Sequence, residues 1–246
     1  MLPASGDGRR IAFFGGSFDP PHRGHLAVAR AARDALRLDQ VLFAPVGAQP
    51  LKPLGSTAGF SDRLAMTRLA IADEPSFAIS LADAPASGAP SNTPDHTPNY
   101  TMDTLLRLRD ELPPGDNLFC LMGADSFLGL RRWHRGAEIP FAAPLIVASR
   151  PGQSLGDLAA VLPDGLSIDA ESTYAAPQAD TEVRYYTLHN AAGITTLFYL
   201  LPDLHVEISA SEIRRQVHAA RGRLPAGHEL LPDPVAEYIA SHSLYR

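Results

Sequence analysis

The chain reads as an α/β protein, a parallel sheet with helices on both faces, and three observations point there. Short apolar runs alternate with helix-length amphipathic stretches along most of the 246 residues. Hydrophobic residues make up 45% and charged residues 20%, the usage of an ordinary folded domain. The loops with the most distinctive composition follow apolar runs, where a doubly wound sheet places its ligand contacts.

The first strand is Ile11-Ala12-Phe13-Phe14 and the second Gln40-Val41-Leu42-Phe43-Ala44. Between them, 24–38 sets Leu26, Ala29, Ala32 and Leu36 at helical spacing, with alanine-rich filling and no proline, which makes a strand-helix-strand unit. The pattern predicts a helix near 61–72, a strand near 77–81, a helix near 101–111 and strands near 117–122 and 143–149. A last apolar strand at 196–201 precedes helices at 209–220 and near 234–241, so the chain closes in a helical end. The reading is one domain over 1–246 with surface insertions near 85–98, rich in Pro, Ser, Asn and Thr, and near 153–195. No internal repeat interrupts it.

Lysine and arginine number 21 against 27 acidic residues, a formal charge of -6, so no broad electrostatic grip on nucleic acid or on an anionic membrane is expected. Any anion site must be local. The single cysteine, Cys120, lies in the apolar run Leu118-Phe119-Cys120-Leu121-Met122 and reads as a buried core thiol. Residues 1–10 are polar, and no run approaches the roughly 20 apolar residues that span a bilayer. The expected compartment is the cytoplasm.

The strongest motif is the loop after the first strand, Gly15-Gly16-Ser17-Phe18-Asp19-Pro20-Pro21-His22-Arg23-Gly24-His25, which runs straight into a helix. Glycines let backbone approach a ligand, and the helix start offers unpaired N–H groups at a positive dipole end, so the loop suits phosphate. It has neither the Walker A nor the GxGxxG spacing. His22 and His25, three apart, can sit near the same end and each donate to a phosphate oxygen, with Gly24 keeping the space open; two solvated histidines in a turn is the bland alternative. Zinc would need further ligands that the scattered histidines and one cysteine do not supply. Near the other end, Ile208-Ser209-Ala210-Ser211-Glu212-Ile213-Arg214-Arg215 opens a helix, and Ser209 with Glu212 has capping-box spacing. A cap leaves Ser211 and Arg214 unexplained, and a hydroxyl beside a guanidinium at a helix start is a polyphosphate binder.

Together GGSFDPPHRGH and ISASEIR resemble the HxGH and ISxTxxR signatures of the nucleotidylyltransferase superfamily, in the expected order around an α/β core. Within it the chain is similar to the bacterial nicotinate-nucleotide adenylyltransferases, with further matches at Pro98–Leu105, Gly123–Ser126, Trp133-His134, Ala148–Gly152 and Leu231–Ile239. The resemblance implies a Rossmann-like sheet of the adenylyltransferase type and transfer of the adenylyl group of ATP to nicotinate mononucleotide, with release of pyrophosphate. It implies that Gly15, Gly16, Ser17, Phe18, His22, Gly24 and His25 bind ATP, and that Lys52 brings a positive charge to the reacting phosphates. It further implies that Ser209, Ser211 and Arg214 grip the pyrophosphate, that Asp125 accepts from a ribose hydroxyl, with a helix N-cap as its alternative, and that His22, His25, Lys52 and Arg214 form the catalytic set. By the same resemblance Thr101, Trp133 and Arg150 would face nicotinate mononucleotide, and Mg²⁺ would be held mainly by ATP phosphates and water, without a protein ligand. Departures are Asn99 where serine is frequent, Ser17 where threonine is common, and Leu51 in Gln49-Pro50-Leu51-Lys52 where a histidine is frequent. The rivals are pantetheine-phosphate adenylyltransferase, which usually has threonine where His22 stands, a non-catalytic nucleotide-binding regulator on the same fold, and a class I tRNA-synthetase relative, which lacks its anticodon module here. Assembly into a homo-oligomer is compatible with the family.

Overall fold

The computed structural model describes residues 8–50, 55–85, 98–149, 158–169, 172–175, 182–201, 204, 208–221 and 229–246. In chain order the elements are β1 (Arg10–Gly16), α1 (Arg23–Leu36), β2 (Gln40–Pro45), α2 (Phe60–Ala70), β3 (Phe77–Ile79), α3 (Thr101–Glu111), β4 (Asn117–Gly123) and α4 (Ala124–Leu128). They continue with α5 (Ile139–Ala142), β5 (Leu145–Ala148), α6 (Leu158–Val161), β6 (Leu166–Ile168), β7 (Ser172–Ala175), β8 (Glu182–Asn190), β9 (Thr195–Leu201), α7 (Ala210–Ala219) and α8 (Asp233–Ser241). Contacts divide the chain into two compact units, one of Met1–Phe14, Val28–Leu42 and Tyr100–Val206, the other of Gly15–Ala27, Phe43–Asn99 and Glu207–Arg246.

The first unit carries the strand order β2-β1-β4-β5-β9-β8-β6, with β7 pairing β8. The pairs β1/β4, β4/β5 and β5/β9 are parallel, with Ile11 opposite Leu118, Cys120 opposite Leu145 and Ile146 opposite Tyr199. All four residues of β5 and the central five of β4 are buried. Strands covered on both faces read as continuous apolar runs, and for that reason these two were visible in sequence. Cys120 is buried among them, at the core position its apolar neighbours predict. Phe127 and Phe198 meet with ring centroids 5.1 Å apart, and Ala29, Ala32 and Leu36 of α1 are buried at the helical spacing of its apolar stripe.

The stretch 153–195 contains α6, β6, β7, β8 and the first residue of β9. β8 pairs antiparallel with β9, β6 and β7. Its buried residues, Val183, Tyr186 and Leu188, do not keep strict alternation, and polar neighbours separate them. A two-residue period was therefore not legible there.

The second unit holds the outgoing ends of β1 and β2, together with β3, α2, α7 and α8. The Val46 amide donates to Gly16 O at 3.0 Å and the Ser80 amide to Phe43 O at 2.8 Å, which ties the chain after β2 and after β3 to its neighbours. Phe43 packs on Phe18 and Phe77 with centroids 5.5 and 5.3 Å away. α2 buries Arg63, Met66, Thr67 and Ala70, a stripe at i, i+3, i+4 and i+7 with an arginine at its head. On α8, Val235 and Ile239 are buried, and the Tyr238 hydroxyl donates to Asp62 Oδ1 at 3.0 Å.

Candidate active site

The loop from β1 into α1 lies within the second unit. Gly15 is exposed and Gly16 half-buried, and a Cβ built on Gly16 would stand 3.2 Å from the Phe18 ring, so a larger residue would press on it. Phe18 is buried with φ +47°, left-handed backbone that a non-glycine residue holds only where surrounding contacts enforce it. Those contacts include Phe43 and the His25 ring, whose centroid lies 4.9 Å away, edge to face. Further along, the rings of His22 and His25 stack with centroids 3.7 Å apart and planes 26° from parallel. His25 Nδ1 accepts the His22 amide at 3.2 Å, so a neutral His25 carries its proton on Nε2, a donor for an anion. Gly24 is buried in the first turn of α1. The turn is anchored by Arg23, whose amide donates to Leu230 O and whose Nε donates to Leu231 O, both at 3.0 Å.

Three groups that sequence reasoning did not single out hold this loop in place. Asp19 is 4% exposed, yet it is an anion in a loop suited to anions. Its carboxylate is occupied from inside: Oδ1 accepts from the Ala58 amide at 3.0 Å and the Tyr245 hydroxyl at 2.7 Å, and Oδ2 accepts from the Thr57 amide at 2.6 Å. Arg63, 2% exposed, donates to Ser17 O at 2.7 Å, Val46 O at 2.8 Å and Ala58 O at 3.2 Å, one guanidinium fork joining three loop carbonyls. Burial lowers the Arg63 pKa, and the nearby Asp19 opposes that. Burial, and then the charge of Asp19, push the Tyr245 phenol well above its ordinary value, so it remains a donor at every working pH. A sequence signal existed for Asp19, a carboxylate inside the loop already singled out, and for Arg63, a charge on the apolar stripe of a helix. Tyr245 offered none.

The Ser209 hydroxyl caps α7 by accepting the Glu212 amide at 3.1 Å, as the capping spacing implies. The Glu212 carboxylate pairs with Arg215 and accepts from Gln216 Nε2 at 2.9 Å. Arg214 extends one Nη1–H to the carbonyl of Asp19 at 2.7 Å and an Nη2–H to Ser211 Oγ at 3.2 Å. Ser211 and Arg214 thus join the histidine loop within one unit, and they line an open cleft of about 790 Å³ together with Thr57, His218, Tyr245 and Arg246.

The first unit carries Thr101 and Trp133, expected to face the second substrate, and Asp125, expected at a ribose hydroxyl of ATP. Thr101 is the first residue of α3, half-buried, after Tyr100 in extended backbone. Asp125 is exposed in the first turn of α4, where Gly123 takes the N-cap position, so its capping alternative does not apply. Trp133 is half-buried directly after the 3-10 turn Leu130–Arg132, and the neighbouring His134 ring lies 4.4 Å from that of Tyr100. Lys52 and Arg150 lie outside the described residues, as does Leu51. Asn99 does position its segment: its Oδ1 accepts the Ala48 amide at 2.9 Å and its own amide donates to Ala48 O at 3.1 Å, a two-bond clamp on the loop after β2.

Among the described residues, no group of three or more His, Cys, Asp or Glu side chains is placed to hold a metal ion. No described helix is long and apolar enough to cross a membrane.

The model of the cytidylyltransferase-like family matches residues 13–216. A protein of Geobacter metallireducens bearing the name "Probable nicotinate-nucleotide adenylyltransferase" is 36% identical over 236 residues, covering 96% of this chain and 98% of its own. One of Gloeobacter violaceus, under the same name, is 38% identical, covering 97% of each. Among solved structures, the Plasmodium falciparum nicotinic acid mononucleotide adenylyltransferase complexed with NaAD superposes with a TM-score of 0.64 at 17% identity, over 96% of this chain and 97% of that one, which shows a shared fold. With its two phosphate-suited motifs assembled in one unit and this coverage, the chain belongs to the cytidylyltransferase-like family, as a relative of its nicotinate-nucleotide adenylyltransferases.

Proposed function

We propose that the protein transfers the adenylyl group of ATP to nicotinate mononucleotide, yielding nicotinate adenine dinucleotide and pyrophosphate. The observation that carries this is the pair of stacked imidazoles at the start of α1, in the same unit as an arginine held to the carbonyl of Asp19. The names of the bacterial relatives supply the acceptor.

An oxygen of the mononucleotide 5′-phosphate forms a bond to the α-phosphorus of ATP as the bond from that phosphorus to the bridging oxygen breaks. The attacking phosphate is already an anion, so no protein nucleophile is needed. Catalysis then rests on alignment and on donors aimed at the oxygens that gain charge. His25 offers Nε2–H to a phosphate oxygen, and His22, buried against it, sets its orientation as well as binding. Arg214 and Ser211 bind the departing pyrophosphate, and Lys52 adds charge beside it. Gly15, Gly16, Ser17, Phe18 and Gly24 shape the loop around the triphosphate, with Ser209 acting through its cap. Asp125 accepts from a ribose hydroxyl.

For the second substrate, Trp133 stacks on the pyridine ring, Thr101 takes the nicotinate carboxylate at the start of α3, and Arg150 binds a further anionic group. A divalent ion, Mg²⁺, fits this site only on the phosphates and water, because the phosphate-facing side chains are His and Arg and the Asp19 carboxylate is occupied internally. Bound there, it screens the triphosphate charge. The cytoplasm is the compartment proposed, supported by a single cysteine, Cys120, that is buried in the core. ATP and nicotinate mononucleotide are the proposed partners rather than nucleic acid or membrane, supported by the net charge of -6.

Pyrophosphate release tests the reading, with ATP, Mg²⁺ and nicotinate mononucleotide, nicotinamide mononucleotide or phosphopantetheine in parallel. Release at least about tenfold faster with nicotinate mononucleotide is expected, and EDTA abolishes it. Release with phosphopantetheine alone would move the protein to the pantetheine branch. ATP binding with no release from any acceptor would make it a nucleotide-binding regulator.

A further inference from the structure

We infer that Tyr245 is a positioning residue for the phosphate-binding face of the second unit, its hydroxyl fixing the Asp19 carboxylate so that Arg214 stays directed at ligand instead of at the protein's own anion. The inference rests on the adenylyl-transfer reading for the role of Arg214 and goes beyond it in assigning the residue that keeps that role possible.

The carboxylate of Asp19 and the guanidinium of Arg214 form a loose ion pair with no direct hydrogen bond between them. Arg214 Nη1 is 2.7 Å from the backbone carbonyl of Asp19 but 3.9 Å from its Oδ2. An almost fully buried carboxylate ordinarily draws the nearest cation into a charge-assisted pair. Here neutral donors meet it first: two consecutive amides, Thr57 and Ala58, and one phenol, Tyr245. The amides belong to backbone and cannot be lost by substitution. Among the described residues the phenol is the one side-chain hydroxyl that donates to this carboxylate, in a bond of 2.7 Å. Its backbone is held at φ +61°, left-handed geometry that a tyrosine keeps only under constraint from its surroundings. Without that hydroxyl, Oδ1 retains the Ala58 amide alone, and the unmet acceptor capacity turns toward Arg214. The arginine would then be shared between Asp19 and the polyphosphate.

The same unit contains a built-in control. Tyr238 on α8 also donates to a carboxylate, Asp62 Oδ1 on α2, at 3.0 Å, a bond that joins two helices and not the β1–α1 loop. A tyrosine that matters only as a tie between segments should behave the same at both positions.

Tyr245→Phe and Tyr238→Phe are to be compared with the unaltered protein for the Kd of Mg-ATP by calorimetry, for KM and kcat with each substrate, and for Tm. Tyr245→Phe is expected to weaken ATP binding about tenfold and to lower kcat/KM for ATP by the same factor, with KM for nicotinate mononucleotide unchanged. Tyr238→Phe is expected to lower Tm while ATP affinity stays within about twofold. Wild-type ATP affinity in Tyr245→Phe, or equal losses of ATP affinity in both variants, would overturn the inference. If the unaltered protein releases no pyrophosphate with any acceptor, the adenylyl-transfer reading fails, while the ATP affinities still decide the role of Tyr245.

Discussion

The two units bury different chemistry. Among the described residues the buried polar side chains of the second unit are Asp19, His22, Arg63, Thr67 and Asp83, whereas those of the first are Thr104 and Ser149. The first unit is built from Leu, Ile, Val and Phe on parallel strands, where burial is non-directional and each side chain contributes area. In the second, a handful of hydrogen bonds to loop carbonyls and amides fixes backbone that forms no regular element. Directional bonds hold atoms to tenths of an ångström, which a site for charged phosphates requires; apolar packing supplies the stability on which such a site can stand.

The comparison can be broken most directly in the first unit. Phe198→Ala, in a fully buried position of β9 against Phe127, should cost about 3–5 kcal/mol in denaturant unfolding while leaving kcat per folded molecule unchanged. A parallel loss of kcat would mean that the apolar core also sets site geometry. The converse is His25→Ala, expected to lower pyrophosphate release about 10²–10³-fold with Tm nearly unchanged. Arg63→Met sharpens the contrast, because it strands three carbonyls and should cost about 2–3 kcal/mol of stability together with ATP affinity, coupling what the other two variants separate. An Arg63→Met protein with full ATP affinity would show that the loop is held without its fork.

The smallest effect is expected at the exposed pair Arg135–Glu138 of the first unit. The hydrogen bond from Arg135 holds the Glu138 carboxyl below its ordinary value of 4.5, against a smaller desolvation effect. A carboxyl whose folded pKa is depressed contributes stability above the unfolded value and loses it as pH falls through the folded one. Arg135→Ala should therefore be slightly less stable than the unaltered protein at pH 7, by no more than an exposed pair contributes, and the difference should shrink toward zero as pH falls below about 4.5. Urea midpoints at several acid pH values measure it.

How much of this was legible in sequence follows the same division. β1, β4 and β5 were readable because parallel strands buried on both faces leave uninterrupted apolar runs such as Leu118–Met122, and β2 was readable from the apolar run Val41–Ala44. The β6–β8 strands were not, since their apolar residues are few and irregularly spaced, and pairing with β9 supplies what local pattern lacks. The histidine loop and the start of α7 were legible through residue type and spacing. The braces were not: Asp19, Arg63 and Tyr245 act across separations of up to 226 residues, and no local period encodes which hydroxyl meets which carboxylate. Asn99 looked like a mere departure from the family pattern, and only its two bonds to Ala48 reveal a fastening.

The apolar runs of β4 and β5 have a consequence for how the protein fails. Leu118–Met122 and Leu145–Val147 carry no charge, proline or glycine, and both strands lie in the interior of the sheet order. Once heat frees them, they are the kind of segment that self-associates into intermolecular β-structure faster than a nonlocal parallel sheet can re-form. Thermal inactivation should then be governed by the rate of first opening rather than by an equilibrium, so that shelf life depends on protein concentration and heating rate as much as on any melting midpoint.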